Sequence, residues 1–281
     1  MRALELISTW PVPTVGAAVV VADGTVAGDA GAVEHRFRLA SLSKPLVAWS
    51  ALVAVEEGIV TLDDHVGRPG CTLRHLLAHA GGYPFEGREP ITGVATRRIY
   101  SNAGIELAAG HIERAADMPI ATYLAEAVFD PLGMEGAALE GSPAHAVWAT
   151  VADVVAFLAE VQAPTLIDPT TAAAAFQPQY PDLAGIVPGV GQFDPCPWGL
   201  GFEIRGGKSP HWTGRHNSAS TFGHFGGAGT MMWVDPDAGC GLVALTDRLF
   251  DQWAGEALVR WPELSDAVLG ELGDPEVPDA R

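Results

Sequence analysis

A serine and a lysine three positions apart are the first residues of this chain that could carry out chemistry. Ser41 and Lys44 lie in the segment ASLSKP, directly before an apolar run. A serine hydroxyl is a weak nucleophile that needs a neighbouring base. A lysine can be that base when burial or nearby positive charge removes its proton. The pair predicts nucleophilic attack on a carbonyl carbon, although its spacing also fits a capping serine followed by a surface lysine.

The residues around the pair predict a helix that begins near Ser41. Apolar residues recur over 46–54, and Gly58 is a natural stop. Pro45 is tolerated only in the first turn of a helix. We therefore expect Ser41 at a helix N-terminus, where free N–H groups can stabilise an oxyanion and the helix dipole favours a neutral Lys44.

Two later motifs strengthen this interpretation. Tyr100-Ser-Asn102 precedes a helix-like run, and His224-Phe-Gly226 lies in the Gly-rich segment GHFGGAGTMMWV, which continues into an apolar strand. In this order, the three motifs resemble those of the serine beta-lactamase and penicillin-binding-protein superfamily. That family carries S-x-x-K, then Y-x-N, then K-T-G or H-x-G, and the resemblance is greatest to its class C-like, esterase branch.

Connecting segments are similar to the same family. LRHLLAHAGGYP at 73–84, DPLGM at 130–134 and ATVADVVAFL at 149–158 resemble family markers, so the resemblance covers most of residues 15–247. It implies an α+β, beta-lactamase-like fold, with an antiparallel sheet flanked by helices and an inserted all-helical domain.

The resemblance also implies catalytic roles. Ser41 would be the nucleophile and form an acyl-enzyme, and Lys44 would hold or accept its proton. Tyr100 would act with Lys44 as general base and later protonate the leaving group. For this role we expect the lysine to lower the pKa of the phenol.

Four further residues are implied to bind the substrate. Asn102 would hydrogen-bond Lys44 or a substrate amide. His224 takes the position of the family's K-T-G lysine, and Gly226 would let the substrate approach the strand closely. The N–H groups of Ser41 and Gly227 would form the oxyanion hole.

His224 is also where the chain departs from the lysine version of the motif. A lysine would offer a permanent charge to a substrate carboxylate, whereas a histidine is largely neutral at pH 7. The residue favours an esterase or amidase that acts on a small ester or acyl compound. A beta-lactamase or D-alanyl-D-alanine carboxypeptidase-type peptidase is the alternative, and a non-catalytic binding protein on the same fold is a further one.

The order of predicted elements divides the chain. Strand-like runs lie near both ends and helical patterns lie between them. We expect a sheet domain formed by 1–57 and 196–281, a mostly helical domain over 58–195, and the active site between them. Residues 163–195 are rich in proline and glycine and predict a long irregular connection. The walls of the substrate pocket are expected from parts of 80–99, 185–220 and 247–253.

Composition excludes several classes of partner. The chain has 281 residues, 48% of them hydrophobic, and a formal net charge of −18, which argues against nucleic acid and anionic membrane surfaces. Part of that charge is the acidic tail from Glu263 to Asp279, which we expect to promote solubility. The N-terminus lacks the apolar run of a secretory signal, and three cysteines without a CxxC pair fit reduced thiols. The chain is therefore expected to be cytoplasmic; its oligomeric state cannot be predicted.

No metal or cofactor is expected. His75 and His79 are four residues apart, but position 76 is leucine, where a zinc-protease helix would carry glutamate. The chain contains neither a phosphate-binding G-x-x-x-x-G-K-[ST] loop nor a G-x-S-x-G nucleophile elbow. The predicted ligand is a small-molecule substrate held by protein groups alone.

Overall fold

The computed structural model describes residues 1–273, so the end of the acidic tail predicted from Glu263 to Asp279 lies outside the described residues. Its centre is a six-stranded antiparallel sheet in the order β2-β1-β11-β10-β9-β8. The six strands are β1 (Val15–Val21), β2 (Val26–Gly31), β8 (Glu203–Ile204), β9 (Phe222–Gly226), β10 (Thr230–Asp235) and β11 (Cys240–Thr246).

Helices pack on both faces of this sheet and on one another. They are α1 (Ser43–Glu56), α2 (Leu73–Leu77), α3 (Asn102–Ala116), α4 (Ile120–Leu124), α5 (Val151–Gln162), α6 (Pro169–Phe176) and α7 (Ala254–Gly273). Single turns of 3-10 helix precede α1 and α7, and a longer one spans Arg2–Thr9. None of the helices within residues 1–273 combines the length and apolar character needed to span a bilayer.

Strand β1 explains why both faces are covered. Ala17 and Val19 belong to one buried cluster, and Ala18 and Val20 belong to the other. Since neighbouring residues of a strand point to opposite faces, an unbroken apolar run needs packing on each side. Helix α5 packs on one face, against β1 and β11, while α7 and the N-terminal 3-10 helix contribute to the cluster on the other.

The predicted α+β class, with an antiparallel sheet flanked by helices, is confirmed. The segment 58–195 also carries short strands: β4 (Ala138–Leu139) and β5 (Val147–Ala149) form a small sheet with β3 (Phe37–Arg38), and β6 (Gly185–Val187) pairs with β7 (Gly191–Phe193). Helix α5 lies in that segment yet packs on the main sheet. The division into two domains stays a prediction.

The prediction of an irregular connection over 163–195 was wrong in part, because this stretch contains α6 and the β6–β7 hairpin. Helix α6 has ordinary helix-start signals: Asp168 accepts a hydrogen bond from the Thr170 N–H at 2.7 Å, and Pro169 occupies the first helical position. Four alanines then favour the helix. The abundance of proline around this short helix masked it.

Candidate active site

Ser41 lies in a 3-10 turn, Ala40–Leu42, that runs directly into α1. The residue before it, Ala40, has a φ of 50°. A non-glycine residue in this left-handed region is strained, and such strain concentrates at functional sites. The turn keeps Ser41 partly exposed while its neighbours on both sides are buried, as a nucleophile that must meet a substrate requires.

Lys44 is fully buried beneath Ser41, in the first turn of α1. Its Nζ donates to Ser41 Oγ at 3.1 Å and to the Ala144 carbonyl oxygen at 2.8 Å. Burial lowers the pKa of Lys44 to about 7, against the opposite effect of Glu86 and Glu106. A substantial fraction of this amine is therefore neutral near pH 7 and able to accept a proton.

Tyr100 forms the opposite wall of the site. The Lys44 Nζ lies 4.7 Å from the centre of its ring. Burial raises the pKa of the Tyr100 phenol, and a hydrogen bond with Ser41 opposes that rise only in part. The expectation that the lysine would lower this pKa was wrong, because burial has the largest effect on the phenol and raises its pKa. Tyr100 is a neutral phenol at physiological pH.

Asn102 begins α3 directly after the helix-capping Ser101, whose hydroxyl accepts from the Gly104 N–H at 2.9 Å. The Asn102 side chain turns to Glu86, and its Nδ2 donates to Glu86 Oε1 at 2.6 Å. Asn102 Oδ1 is buried and has no hydrogen-bond partner among residues 1–273. Of the two partners expected for Asn102, Lys44 is not bonded to it within residues 1–273, where the Asn102 side chain bonds a carboxylate from the 80–99 segment instead. The substrate amide stays a prediction.

His224 lies in β9, opposite Met232 of β10. Its Nδ1 donates to the Phe225 carbonyl oxygen at 2.6 Å, since a carbonyl can only accept. Its Nε2 is buried without a partner in the described part of the chain. Burial, followed by the charge of Lys44, lowers the pKa of His224 to about 3. The ring is neutral at pH 7 and presents an acceptor nitrogen rather than a cation.

Gly226 and Gly227 have different surroundings. A Cβ on Gly226 would lie 2.6 Å from the Leu39 carbonyl oxygen and 3.2 Å from the Ala40 Cβ. Gly226 therefore lets β9 approach the segment that carries Ser41, and this close contact is with the protein itself. A Cβ on Gly227 would meet no atom of residues 1–273 within 4 Å. Neither the Gly227 nor the Ser41 N–H donates to a backbone carbonyl within that range, so both N–H groups are available as donors.

A cavity of about 260 Å³ opens at Ser41. We refer to it as the catalytic cavity. Each of the three segments predicted to form the pocket, 80–99, 185–220 and 247–253, contributes to its walls, in the form of Phe85, Val187, Pro188, Gly189, Trp198, Glu203, Phe250 and Asp251. The remaining wall residues lie outside those segments and are Ser41, Tyr100, His224, Phe225 and Gly227. The rings of Phe85, Trp198 and His224 lie within 6 Å of the Tyr100 ring. Their apolar surfaces account for the low polarity around Lys44.

Two buried charged residues hold these walls in place. Arg98 donates to the carbonyl oxygens of Ala78, Cys196, Gln179 and Tyr180, and so ties together three segments beside the cavity. Sequence reasoning missed Arg98, although its position two residues before Tyr100 indicated that it lies close to the site.

Glu203 forms a buried network next to the cavity. Its carboxylate lies 3.0 Å from Lys208 Nζ and from His211 Nε2, and it accepts from Trp212 Nε1 at 2.7 Å. Burial alone would raise the pKa of Glu203, and Lys208 and His211 reverse this and hold it well below its usual range. Three side chains thus contact the Glu203 carboxylate, and the network supports β8, which pairs with β9.

Sequence reasoning also missed Glu86, Phe85 and His79 as individual members of the site. His79 packs its ring 4.8 Å from Tyr100, and its Nδ1 accepts from the Ser101 N–H at 3.2 Å. His75 has a separate place, stacked on Tyr180. The four-residue spacing of the two histidines therefore does not bring them to one site.

Comparisons with known proteins agree with this geometry. A family model described as Beta-lactamase matches residues 12–261. A beta-lactamase from Mycobacterium bovis has a solved structure that is 46% identical in sequence, covers 96% of this chain and 99% of its own, and superimposes with a TM-score of 0.93. The chain belongs to the Beta-lactamase family, and the resemblance predicted from the motifs is confirmed.

Two more distant relatives extend the comparison. EstCE1, a hydrolase with promiscuous acyltransferase activity, is 17% identical, with 95% of this chain and 96% of its own covered and a TM-score of 0.78. That likeness shows the shared fold. Penicillin-binding protein 4* of Bacillus subtilis is 32% identical across 35% of this chain. This match spans 29% of that relative's own length.

Proposed function

We propose that this protein is a serine hydrolase that cleaves a small ester or related acyl compound through an acyl-enzyme at Ser41. The single observation that carries the proposal is the contact between Lys44 Nζ and Ser41 Oγ, 3.1 Å, with the pKa of the lysine lowered to about 7. A neutral amine beside a serine hydroxyl is the arrangement needed for general-base activation of the nucleophile.

The proposed acylation begins when Lys44 takes the proton of Ser41 and Oγ attacks the substrate carbonyl carbon. The N–H groups of Ser41 and Gly227 stabilise the oxyanion of the tetrahedral intermediate. The carbon–oxygen bond to the leaving alcohol then breaks. The proton held by Lys44 passes through the Tyr100 hydroxyl to the departing oxygen, a relay that suits a phenol whose pKa is raised.

Deacylation would reverse these roles. A water molecule loses a proton to Lys44 by way of Tyr100 and attacks the ester carbon of the acyl-enzyme. Ser41 leaves and recovers its proton from Lys44. Each turnover consumes one ester and one water and releases an acid and an alcohol, and no metal or cofactor takes part in these steps.

Two features of the site favour esters, the first over substrates that carry a carboxylate and the second over amides. His224 is neutral, so it offers no charge to bind a carboxylate. Glu86 accepts from one of the two N–H groups of Asn102 Nδ2, which leaves one fewer donor for a substrate amide carbonyl. The fold that EstCE1 shares is compatible with a hydrolase that also transfers acyl groups.

The test is Ser41-dependent acylation. A fluorophosphonate probe should label the wild-type protein, with the adduct mapped by mass spectrometry to Ser41, and p-nitrophenyl acetate should be hydrolysed. Ser41→Ala should abolish both reactions, whereas Ser8→Ala, at an exposed serine of the N-terminal 3-10 helix, should change neither. Equal labelling of wild type and Ser41→Ala would overturn the proposal, and a folded protein unreactive towards an ester panel would favour the non-catalytic alternative.

A beta-lactamase is the second candidate, because the Mycobacterium bovis relative that is described as one is 46% identical. The same Ser41 acyl-enzyme would open a beta-lactam amide. Multiple turnovers of nitrocefin that depend on Ser41, at a kcat/KM above that for any ester tested, would favour this candidate over the esterase.

A further inference from the structure

A second concave surface adjoins the catalytic cavity. We call it the apolar groove, and its volume is about 520 Å³. Its lining includes Phe85, Ile91, Arg97, Tyr100, Ile186 and Pro188. Phe85, Tyr100 and Pro188 line both the groove and the catalytic cavity. The two spaces therefore meet at a common wall that contains Tyr100.

The groove exposes large apolar side chains. Phe85 is 51% exposed, Ile91 62% and Ile186 49%, and these are three of the seven large hydrophobic residues exposed among residues 1–273. Exposed apolar surface gathered in one concave place indicates a binding site, whereas scattered single residues need no explanation.

Backbone hydrogen bonds hold this surface in shape. The Ile91 N–H donates to the Gly82 carbonyl oxygen at 2.9 Å, and Arg68 donates to the Thr92 carbonyl. Ile186 lies in the middle of β6, opposite Gln192 of β7. Phe85 stacks on Tyr100 with ring centres 5.9 Å apart. The groove is thus formed before any ligand arrives.

Its position relative to Tyr100 decides which part of a substrate it faces. In the proposed reaction the Tyr100 hydroxyl gives its proton to the departing alcohol oxygen, so the alcohol must lie against Tyr100. The groove shares Tyr100 and Phe85 with the catalytic cavity and is therefore an adjoining surface for the rest of the alcohol. The acyl group stays bonded to Ser41 and has the catalytic cavity, about 260 Å³, for its side chain.

We propose that the apolar groove binds an extended apolar alcohol, so that the substrate is an ester of a short acid with a long or bulky hydrophobic alcohol. This inference rests on the proposed function, because it assigns the leaving group of that same reaction. During acylation the Ser41 Oγ–carbon bond forms, the bond from carbon to the alcohol oxygen breaks, and the neutral alcohol departs along the groove.

The test uses two series of esters. Acetates of ethanol, butanol, hexanol and octanol vary the alcohol, and p-nitrophenyl esters from acetate to octanoate vary the acid; acid release is followed at constant pH. The value of kcat/KM should rise by roughly two- to fourfold per methylene along the acetate series, which is the size expected for partial to full burial of a CH₂ group. The acyl series should reach its maximum at a short chain.

Substitutions in the groove then test whether the rise in kcat/KM with alcohol length comes from binding there. Ile91→Ser and Ile186→Ser should flatten the acetate series, so that the ratio of kcat/KM for octyl acetate to that for ethyl acetate falls towards one. Val259→Ser is the matched control, because Val259 is 53% exposed and lies in α7 outside the groove. It should keep the full dependence on alcohol length.

The outcomes separate this inference from the proposed function. No Ser41-dependent turnover of any ester would overturn the proposed function itself. Ser41-dependent turnover with no dependence on alcohol length would overturn the groove assignment alone. A flattened acyl series in Ile91→Ser, with an unchanged acetate series, would likewise overturn it, because the groove would then hold the acid.

Discussion

The chain has two lysines, and both are buried. They differ in the charge of the groups that they contact. Lys44 contacts a hydroxyl and a carbonyl, and burial lowers its pKa to about 7. Lys208 lies 3.0 Å from the carboxylate of Glu203. A buried cation that is paired can stay charged and fix the structure, whereas a buried amine with neutral partners gains access to its uncharged form. We infer that Lys44 is placed for proton transfer and Lys208 for support.

The same contrast extends to the neighbouring polar atoms. Around Lys44, buried atoms such as His224 Nε2 and Asn102 Oδ1 have no protein partner among residues 1–273. Around Lys208, Glu203 meets three donors. Unsatisfied buried groups cost stability and persist mainly where a ligand completes them. We infer from this difference that the cluster around Lys44 is completed by a ligand, whereas the Glu203 cluster supports the strand that carries it.

The largest expected effect is that of Lys44→Met. Methionine keeps an apolar stem of similar length and removes the base, so acylation of Ser41 should slow by about 10²- to 10⁴-fold. Fluorophosphonate labelling rates measure this directly. The variant should remain folded by circular dichroism. An acylation rate within tenfold of wild type would contradict the role of Lys44 as base.

Lys208→Met should instead act on stability. It leaves the Glu203 carboxylate buried beside fewer positive charges, and breaking one side of such a pair costs about 3–5 kcal/mol of unfolding free energy. Urea unfolding measures the loss. The double variant Glu203→Gln/Lys208→Met should recover most of it, because the uncompensated charge is gone. A loss below about 1 kcal/mol in the single variant would remove the distinction between the two lysines.

Much of the site could be predicted from the sequence because its chemistry lies in short motifs. Ser41 and Lys44 are linked by one turn of chain, and Pro45 limits where their helix can start. Tyr100 and His224 were identified because their motifs follow in the order of a known family. The structure places Lys44, Tyr100 and His224 around Ser41, and the roles assigned to these residues are proposals.

The parts that could not be predicted depend on contacts between distant segments. Glu86 lies in a loop without periodicity, and no spacing rule pairs it with Asn102. The direction of the Tyr100 pKa shift depends on how closely Phe85 and Trp198 pack around it. Nothing local to position 100 reveals that packing, so a rule based on the nearest charge gave the wrong sign.

The pH dependence of the reaction follows from Lys44. Below its pKa of about 7 the lysine is protonated and cannot accept the Ser41 proton, so kcat/KM for p-nitrophenyl acetate should rise about tenfold per pH unit and level off above 7. His224, with a pKa of about 3, stays neutral at the pH values at which Lys44 titrates.

The titration can also be observed directly. Selective ¹³C labelling of lysine gives signals from two side chains only, and the signal that disappears in Lys44→Met identifies Lys44. Its chemical shift should titrate with a midpoint of about 7. A midpoint near the ordinary lysine value would contradict the neutral base and, with it, the contrast with Lys208.

The smallest expected effect is that of removing the charge of Glu86, which influences the pKa of Lys44. Its negative charge raises the pKa of Lys44, so Glu86→Gln should lower that pKa and move the acidic limb of the rate profile to lower pH by roughly a few tenths of a unit, as expected for one partly screened charge. Glu89→Gln, at another exposed position of the same loop, is the matched control. Because glutamine can still accept from Asn102, the change isolates charge from hydrogen bonding. A shift to higher pH, or an equal shift in Glu89→Gln, would show that Glu86 has no specific influence on Lys44.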